Sequence, residues 1–464
     1  MASGRVLREP LRWVGQLSSG DRVLRRILIA VLAIVVVAGG GFFAWAWHGE
    51  LPAEPSRDVS TFDPAVVAKG ANLVAIGSCA VCHTAKNSPS FAGGYPVETP
   101  FGVIYGSNIT PDRDTGIGTW SPAAFRRAMR EGVDRLGNHL YPAFPYDHFT
   151  HATDSDLDAV YAFLMTRNAV QKANREPALA FPFNIRLSAA AWKLLFLHPG
   201  PNPPDPSKSA EWNRGAYLAE SFGHCGACHT PRNLLAGEQR GKAYDGGFAE
   251  GWLAPALNAK SPAAVPWTAE AVTHYLREGW DAEHGHAAGP MAPVIDGTSR
   301  ANSDDLRALG VYVASLNGAT AAEIAAKREA ALKFAAARTL PAHGTTAQTT
   351  GAAPGLANDG TAIFAGACAT CHHAGGELPI SRPIDLSLSS TVNEADARDL
   401  IQVILRGIHP ATNERGRIMP AFDGVLTDRQ IVALVNYVRG HFSTQPMWSD
   451  PAKTLANIRN GKGS

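Results

Sequence analysis

All six cysteines of this 464-residue chain fall in three pairs of one spacing: Cys79 and Cys82, Cys225 and Cys228, Cys368 and Cys371. A histidine follows each pair, as His83, His229 and His372. A pair alone would suit a short disulfide or half of a zinc site. The added histidine makes each run C-x-x-C-H, the attachment signature of c-type haem. Two thiols at this spacing reach the two vinyl groups on one edge of a porphyrin as thioethers. The adjacent imidazole then lies under the ring and ligates iron from the proximal side. One copy arises by chance; three at domain spacing do not. The expectation is three haem c groups, with His83, His229 and His372 as proximal ligands.

A repeat follows each motif. Phe125 to Gly132, Val272 to Gly279 and Val403 to Gly407 read as short amphipathic helices closed by glycine. A proline-bearing loop comes next: Leu140 to Pro145, Gly289 to Pro293, and Ile418 to Phe422. Thr153-Asp154-Ser155-Asp156, Ser303-Asp304-Asp305 and Thr427-Asp428 then start a last helix. Tyr161, Tyr312 and Tyr437 are expected at one shared point of it, as core. Helix, motif, loop, helix, loop, helix is the class I cytochrome c arrangement. About 100 residues make a small core, and a buried porphyrin supplies much of the missing apolar surface.

Met291 and Met419 stand in the second and third proline-bearing loops, beside Pro290 and Pro420, and are expected as sixth iron ligands. In the first loop Phe144 occupies that place, and phenylalanine cannot bind iron. The first haem is then five-coordinate, or a neighbour substitutes. His148 is the favoured substitute, with His139, Met129 and Met165 as alternatives. A second imidazole would give that haem a lower potential than its His/Met neighbours. A five-coordinate haem would instead open a peroxidase-like reading. His224, His373, His284 and His286 are read as environment or surface rather than ligands.

Ile27 to Trp47 carries no charge and, at about 1.5 Å per residue, spans a hydrocarbon core of about 30 Å. Arg5, Arg8, Arg12, Arg22, Arg25 and Arg26 precede it, and Glu50, Glu54 and Asp58 follow. The positive-inside rule places the haem domains outside the cytoplasm, in a bacterium the periplasm, on a single-pass inner-membrane anchor. A cleaved signal peptide is the alternative. The formal charge of +1 argues against a nucleic-acid partner, which needs a concentrated basic surface.

The expected fold is all-α: three class I cytochrome c domains in tandem after one transmembrane helix. The boundaries are a basic segment 1–26, anchor 27–47, domains 62–170, 209–318 and 356–443, a packed strap 171–208, a linker 319–355 with Thr345 to Pro354 flexible, and a tail 444–464.

The run Thr99-Pro100-Phe101-Gly102-Val103-Ile104-Tyr105-Gly106-Ser107-Asn108-Ile109-Thr110-Pro111-Asp112, continuing Thr115 to Trp120, resembles the first domain of the triheme cytochrome c subunits of membrane-bound periplasmic dehydrogenases. Phe181-Pro182-Phe183-Asn184 and His229-Thr230-Pro231-Arg232-Asn233 carry the same likeness. The family includes the cytochrome subunits of alcohol, gluconate and aldehyde dehydrogenases. The resemblance implies an electron-transfer subunit with no catalytic activity of its own. Its catalytic partner would be of molybdenum/iron–sulfur, flavin or quinone type, and its acceptor ubiquinone or a terminal oxidase. Many members carry methionine where Phe144 stands. The variant Tyr141-Pro142-Ala143-Phe144-Pro145-Tyr146-Asp147-His148 most resembles subunits paired with xanthine-oxidase-type molybdenum hydroxylases.

Overall fold

The computed structural model describes residues 19–55, 57–338, 359–372, 385–409 and 418–461. Arg5, Arg8, Arg12, His373 and the linker Thr345 to Pro354 lie outside them. The chain divides into two compact units, Met1–Glu50 and Leu51–Ser464.

The first unit is one helix, α1 (Ser19–Ala46). Its stretch Val23–Ala46 has 24 residues and a mean hydropathy of 2.8, long and apolar enough to cross a bilayer. Leu32, Ile34 and Val37 stand exposed along it.

The second unit repeats one construction. Its first region holds α2 (Pro64–Ile76), α3 (Cys79–His83), α4 (Pro122–Glu131), α5 (Tyr146–Phe149) and α6 (Asp154–Met165). Asp63 and Thr153 cap α2 and α6 through their side chains, and Gly132 closes α4 at φ +59°. The strap forms α7 (Leu187–Phe196). The second region holds α8 (Ala210–Glu220), α9 (Gly226–His229), α10 (Ala269–Glu278), α11 (Met291–Thr298) and α12 (Ser303–Ser315). After α13 (Ala321–Ala336), the third holds α14 (Gly360–Ala367), α15 (Ser390–Asn393), α16 (Arg398–Arg406), α17 (Asp428–Phe442) and α18 (Pro451–Arg459).

The expectation of an all-α chain needs correction. Short antiparallel ribbons fill the loops after the first two motifs. Strands β1 (Pro96–Thr99) and β2 (Gly102–Tyr105) pair from Pro96↔Tyr105 to Thr99↔Gly102, and β3 (Ala178–Leu179) adds to β2. In the second region β4 (Gly247–Ala249) pairs β5 (Trp252–Ala254), and β6 (Trp280–Asp281) pairs β7 (Gly285–His286). Glycines at positive φ make the tight turns: Gly102 at +125° and Gly251 at +81°.

One glycine fixes each helix crossing. A methyl group at Gly70 of α2 would sit 1.9 Å from the carbonyl oxygen of Ala159 in α6. The same holds at 1.9 Å for Gly215 of α8 on Ala308 of α12, and at 2.3 Å for Gly360 of α14 on Ala433 of α17. Only glycine lets the backbones approach this closely. The next side chain at each crossing is Phe163, Tyr312 and Tyr437. Phe163, not Tyr161, is therefore the counterpart of the other two tyrosines. Tyr161 lies on another face of α6, where its hydroxyl donates to the Trp120 carbonyl at 2.8 Å.

One apolar core runs from Leu73 in the first region to Val313 in the second, while the third region has its own, centred on Phe364, Ile401, Ile431 and Val435. A polar network also ties α2 and α6 to α8 and α12. Asn72 donates to Asp305 at 2.7 Å, and Arg214 to the same carboxylate at 2.7 Å. Tyr217 donates to Asp156 at 2.6 Å. The strap is bolted to both regions: Trp192 donates to the Leu235 carbonyl at 2.9 Å, and the buried Lys193 to that of Gly132 at 2.7 Å.

Candidate haem-binding sites

The first two motifs fold alike. The residue before the first cysteine takes positive φ in each, Ser78 at +48° and His224 at +34°, which turns the chain out of α2 or α8 and into the motif. Each motif then forms a short helix ending on its histidine, α3 and α9. His83 Nδ1 lies 2.7 Å from the Ser107 carbonyl oxygen, and His229 Nδ1 lies 2.7 Å from that of Pro255. A proton held on Nδ1 by a carbonyl leaves the Nε2 lone pair for a metal, the usual arrangement of a ligating histidine. Burial pulls both imidazoles below their ordinary pKa, more than the carbonyl bonds restore, which favours the neutral form.

None of the six cysteines is in a disulfide. Burial, with smaller contributions from neighbouring negative charge, pushes Cys79 and Cys225 up to about 12 and Cys82 and Cys368 up to about 11. These walls favour an uncharged sulfur, which is what a thioether is. In the first two motifs the residues present therefore fit covalent haem: paired thiols, Cys79 and Cys225 among them in desolvated surroundings, beside an imidazole whose Nδ1 meets a carbonyl. In the third motif Cys371 and His372 follow α14, and His372 N–H bonds the Cys368 carbonyl at 2.9 Å.

Met291 is the first residue of α11, after Pro290, so the second loop is partly helical where an open loop was expected. This helix leans on the first region: a methyl at Gly297 would lie 2.3 Å from the Ala75 carbonyl and 2.7 Å from Ser78 Oγ. Met419 sits in an antiparallel bridge with Ile408, both bonds 2.9 Å, against the third core.

Phe144 packs on Phe149 with ring centroids 5.4 Å apart. His148 is buried, and both its nitrogens face oxygen acceptors: Nδ1 lies 3.1 Å from the Glu220 carbonyl and Nε2 lies 2.8 Å from Glu238 Oε1. Of the alternatives, His139 Nδ1 lies 2.9 Å from Lys193 Nζ, and Met129 and Met165 are buried in the shared core.

His284 was expected at the surface and is buried. It stacks on Trp267 at 3.6 Å and bonds Asp281. Two groups near the second motif carried no sequence signal. Glu220 accepts from both Tyr244 and Tyr312, at 2.5 and 2.6 Å, and Glu238 meets His148 from a loop that no periodicity marks.

Comparison with known proteins agrees. The family described as Cytochrome C oxidase, cbb3-type, subunit III, matches residues 355–438. The fructose dehydrogenase cytochrome subunit of Gluconobacter japonicus is 35% identical, over 84% of this chain and 82% of that protein. The gluconate 2-dehydrogenase cytochrome c subunit of Pantoea cypripedii is 31% identical, over 85% of this chain and 90% of that protein. The chain belongs to the dehydrogenase cytochrome c subunits. Membership makes it a haem-carrying component of electron transport, and α1 fits a membrane-bound member. A nicotinate dehydrogenase subunit of Pseudomonas putida is 40% identical over 93% of this chain, which spans 35% of that longer protein.

Proposed function

We propose that this chain relays electrons through three haem c groups, from the catalytic subunit of a periplasmic dehydrogenase to ubiquinone or a terminal oxidase. Cys79, Cys82 and His83 would hold the first haem. Cys225, Cys228 and His229 would hold the second, with Met291 as sixth ligand. Cys368, Cys371 and His372 would hold the third, with Met419. When bound, the haem iron supplies one-electron chemistry, its potential set by the axial ligands and their surroundings. The chain's part is to fix the imidazoles of His83 and His229 through their Nδ1 carbonyl bonds, to bury Cys79 and Cys225 in apolar walls, and to hold the motifs at set separations. The repeated glycine crossings support three tandem cytochrome c domains, within 62–170, 209–318 and 356–443. The segment 27–47 would anchor them to the inner membrane with the domains in the periplasm.

The observation that carries this reading is the shared construction of the first two motifs, left-handed residue, short helix and carbonyl-anchored histidine, with the third C-x-x-C-H run after an identical crossing. The partner proposed is a molybdenum hydroxylase acting on an aldehyde or an N-heterocycle, supported by the Phe144 variant and by the likeness to the nicotinate dehydrogenase subunit. Purification of the complex from detergent-solubilised membranes tests it. The expected result is a large molybdenum-containing subunit whose substrate reduces the haem absorption bands. Bands that stay oxidised while the large subunit reduces an artificial acceptor would overturn the relay.

A further inference from the structure

Both hydrogen-bond partners of His148 are oxygens that carry no proton, the Glu220 carbonyl and the Glu238 carboxylate. Each ring nitrogen must therefore donate, and an imidazole that donates twice is a cation. The ring comes from α5 of the first region, and its partners come from the end of α8 and from the loop after α9. It lies directly on the second attachment motif: a methyl at Gly226, between Cys225 and Cys228, would meet His148 Cε1 at 3.2 Å and Glu238 Oε2 at 3.3 Å. The other two motifs carry Ala80-Val81 and Ala369-Thr370 between their cysteines, and only the second carries glycine next to the first cysteine. The other charged or titratable groups here are Asp147 on α5, Arg232, which lies 3.6 Å from Glu238, and Glu220, His151, His198, Arg240 and Tyr244, which line the same cavity of about 370 Å³. His224 stands next to the motif with its ring 6.4 Å from that of His148.

We infer that His148 and Glu238 are a positioning pair for the second haem rather than part of the coordination of the first: a cation and an anion, locked across the junction of the first two regions, that fix the second attachment motif and set the potential of the group bound there. The inference rests on the haem reading above. A fixed positive charge beside a redox centre stabilises its reduced form, and a fixed negative charge its oxidised form. Removing one member should therefore move the midpoint in one direction, and removing the other should move it in the opposite direction. At the roughly 10 Å scale of such contacts each change amounts to about tenfold in the reduction equilibrium, or about 59 mV for one electron.

The test is a redox titration of the full-length, detergent-solubilised protein and its variants, with haem content and spin state measured first on each. Haem content unchanged from the native protein separates failure of this inference from failure of the haem reading. The titration is read at about pH 5, below the ordinary histidine value of 6.5, so that His148 keeps its proton without its carboxylate partner. The expected result is that His148→Gln lowers one haem midpoint and Glu238→Gln raises the same one. The double variant should return close to the native value, and every haem should keep its native spin state. Gly226→Ala, which displaces the ring without removing either charge, should move the same midpoint less. Shifts of equal sign in the two single variants would leave only a structural role and overturn the proposal. A change of one haem from low to high spin in His148→Gln would make His148 an iron ligand, and unchanged midpoints in both single variants would remove it from the site; either result also overturns it.

Discussion

The first two helical regions share one core, whereas the third keeps its own and meets the second along an edge. Between the first and second, apolar contact is continuous from Leu73 to Val313, and Asn72 donates to Asp305 and Tyr217 to Asp156 across the junction. Between the second and third, the contact is smaller: Val265 of the second region and Leu388 of the third meet Ala335 of α13 in a small apolar cluster, beside a polar seam. Leu253 N–H donates to Asp399 at 2.9 Å, Gln402 Nε2 donates to the Gly251 carbonyl at 2.9 Å, and Arg406 lies over Trp252. A shared core holds two motifs at a fixed separation. A small cluster and a few hydrogen bonds join a third region that keeps a core of its own. The same repeat thus yields a pair on one core and a single on its own.

The strongest way to break this comparison is at the helix crossings. Gly70→Ala should destabilise by about 3 kcal/mol, the upper part of the overpacking range, because backbone atoms meet the new methyl. Calorimetry should show the first and second regions melting earlier together while the third keeps its transition. Gly360→Ala should do the reverse. A first region that melts apart from the second would dissolve the shared core.

Next in size is the polar junction. Asp305→Ala leaves Arg214 and Asn72 without their carboxylate and should cost about 2 kcal/mol, reduced from the buried-pair range because Arg214 is partly exposed. Denaturant unfolding should show the loss in the paired regions only.

The two junctions should also respond to pH in different windows. For His148, burial acts downward, but the hydrogen bond to Glu238 and the charges of Glu238 and Asp147 outweigh it and raise the group to about 9. Its contribution is complete below its ordinary value of 6.5 and is lost as pH rises through about 9. Burial raises Asp399 to about 7, more than the Leu253 N–H lowers it, so the seam is strongest when this carboxyl is protonated and weakens as pH rises through about 7. Limited proteolysis across this range should release the third region first. Asp399→Asn should keep the Leu253 bond and abolish the dependence near neutrality; a dependence that survives it would place the sensitive group elsewhere.

The smallest effect is expected at the surface of the third region. Arg459 pairs with Asp423 and Asp428 there, and Arg459→Ala should cost less than about 1 kcal/mol. A larger loss in denaturant unfolding would mean that α18 holds the third core more than its exposure indicates.

The motif-bearing frame was legible because its signals are local. Thr153 and Thr427 cap α6 and α17 as read, and Gly132 and Gly279 close α4 and α10 in the left-handed region. The rest was of two kinds, local caps that were not singled out and contacts made by distant residues. Helix α12 starts at Ser303 as read, and Asn302 before it supplies the cap, its side chain accepting from the Asp305 N–H. The tail 444–464 forms α18, with Asp450 as cap and Pro451 as first residue. His284 is buried because Trp267, well upstream, stacks on it. The tyrosine register slipped because Phe163 replaces tyrosine at one crossing and a nearby Tyr161 offered a false match. His148 and Glu238 could not have been paired from sequence, since 90 positions separate them.

The most direct test of the central claim is the number of porphyrins joined to one polypeptide. Intact-mass measurement of the purified full-length chain, beside a pyridine haemochrome assay, should give three haem groups per chain. Two, one or none would contradict the account, and the count found with each C-x-x-C-H cysteine pair changed to alanine in turn would show which motif had been misread.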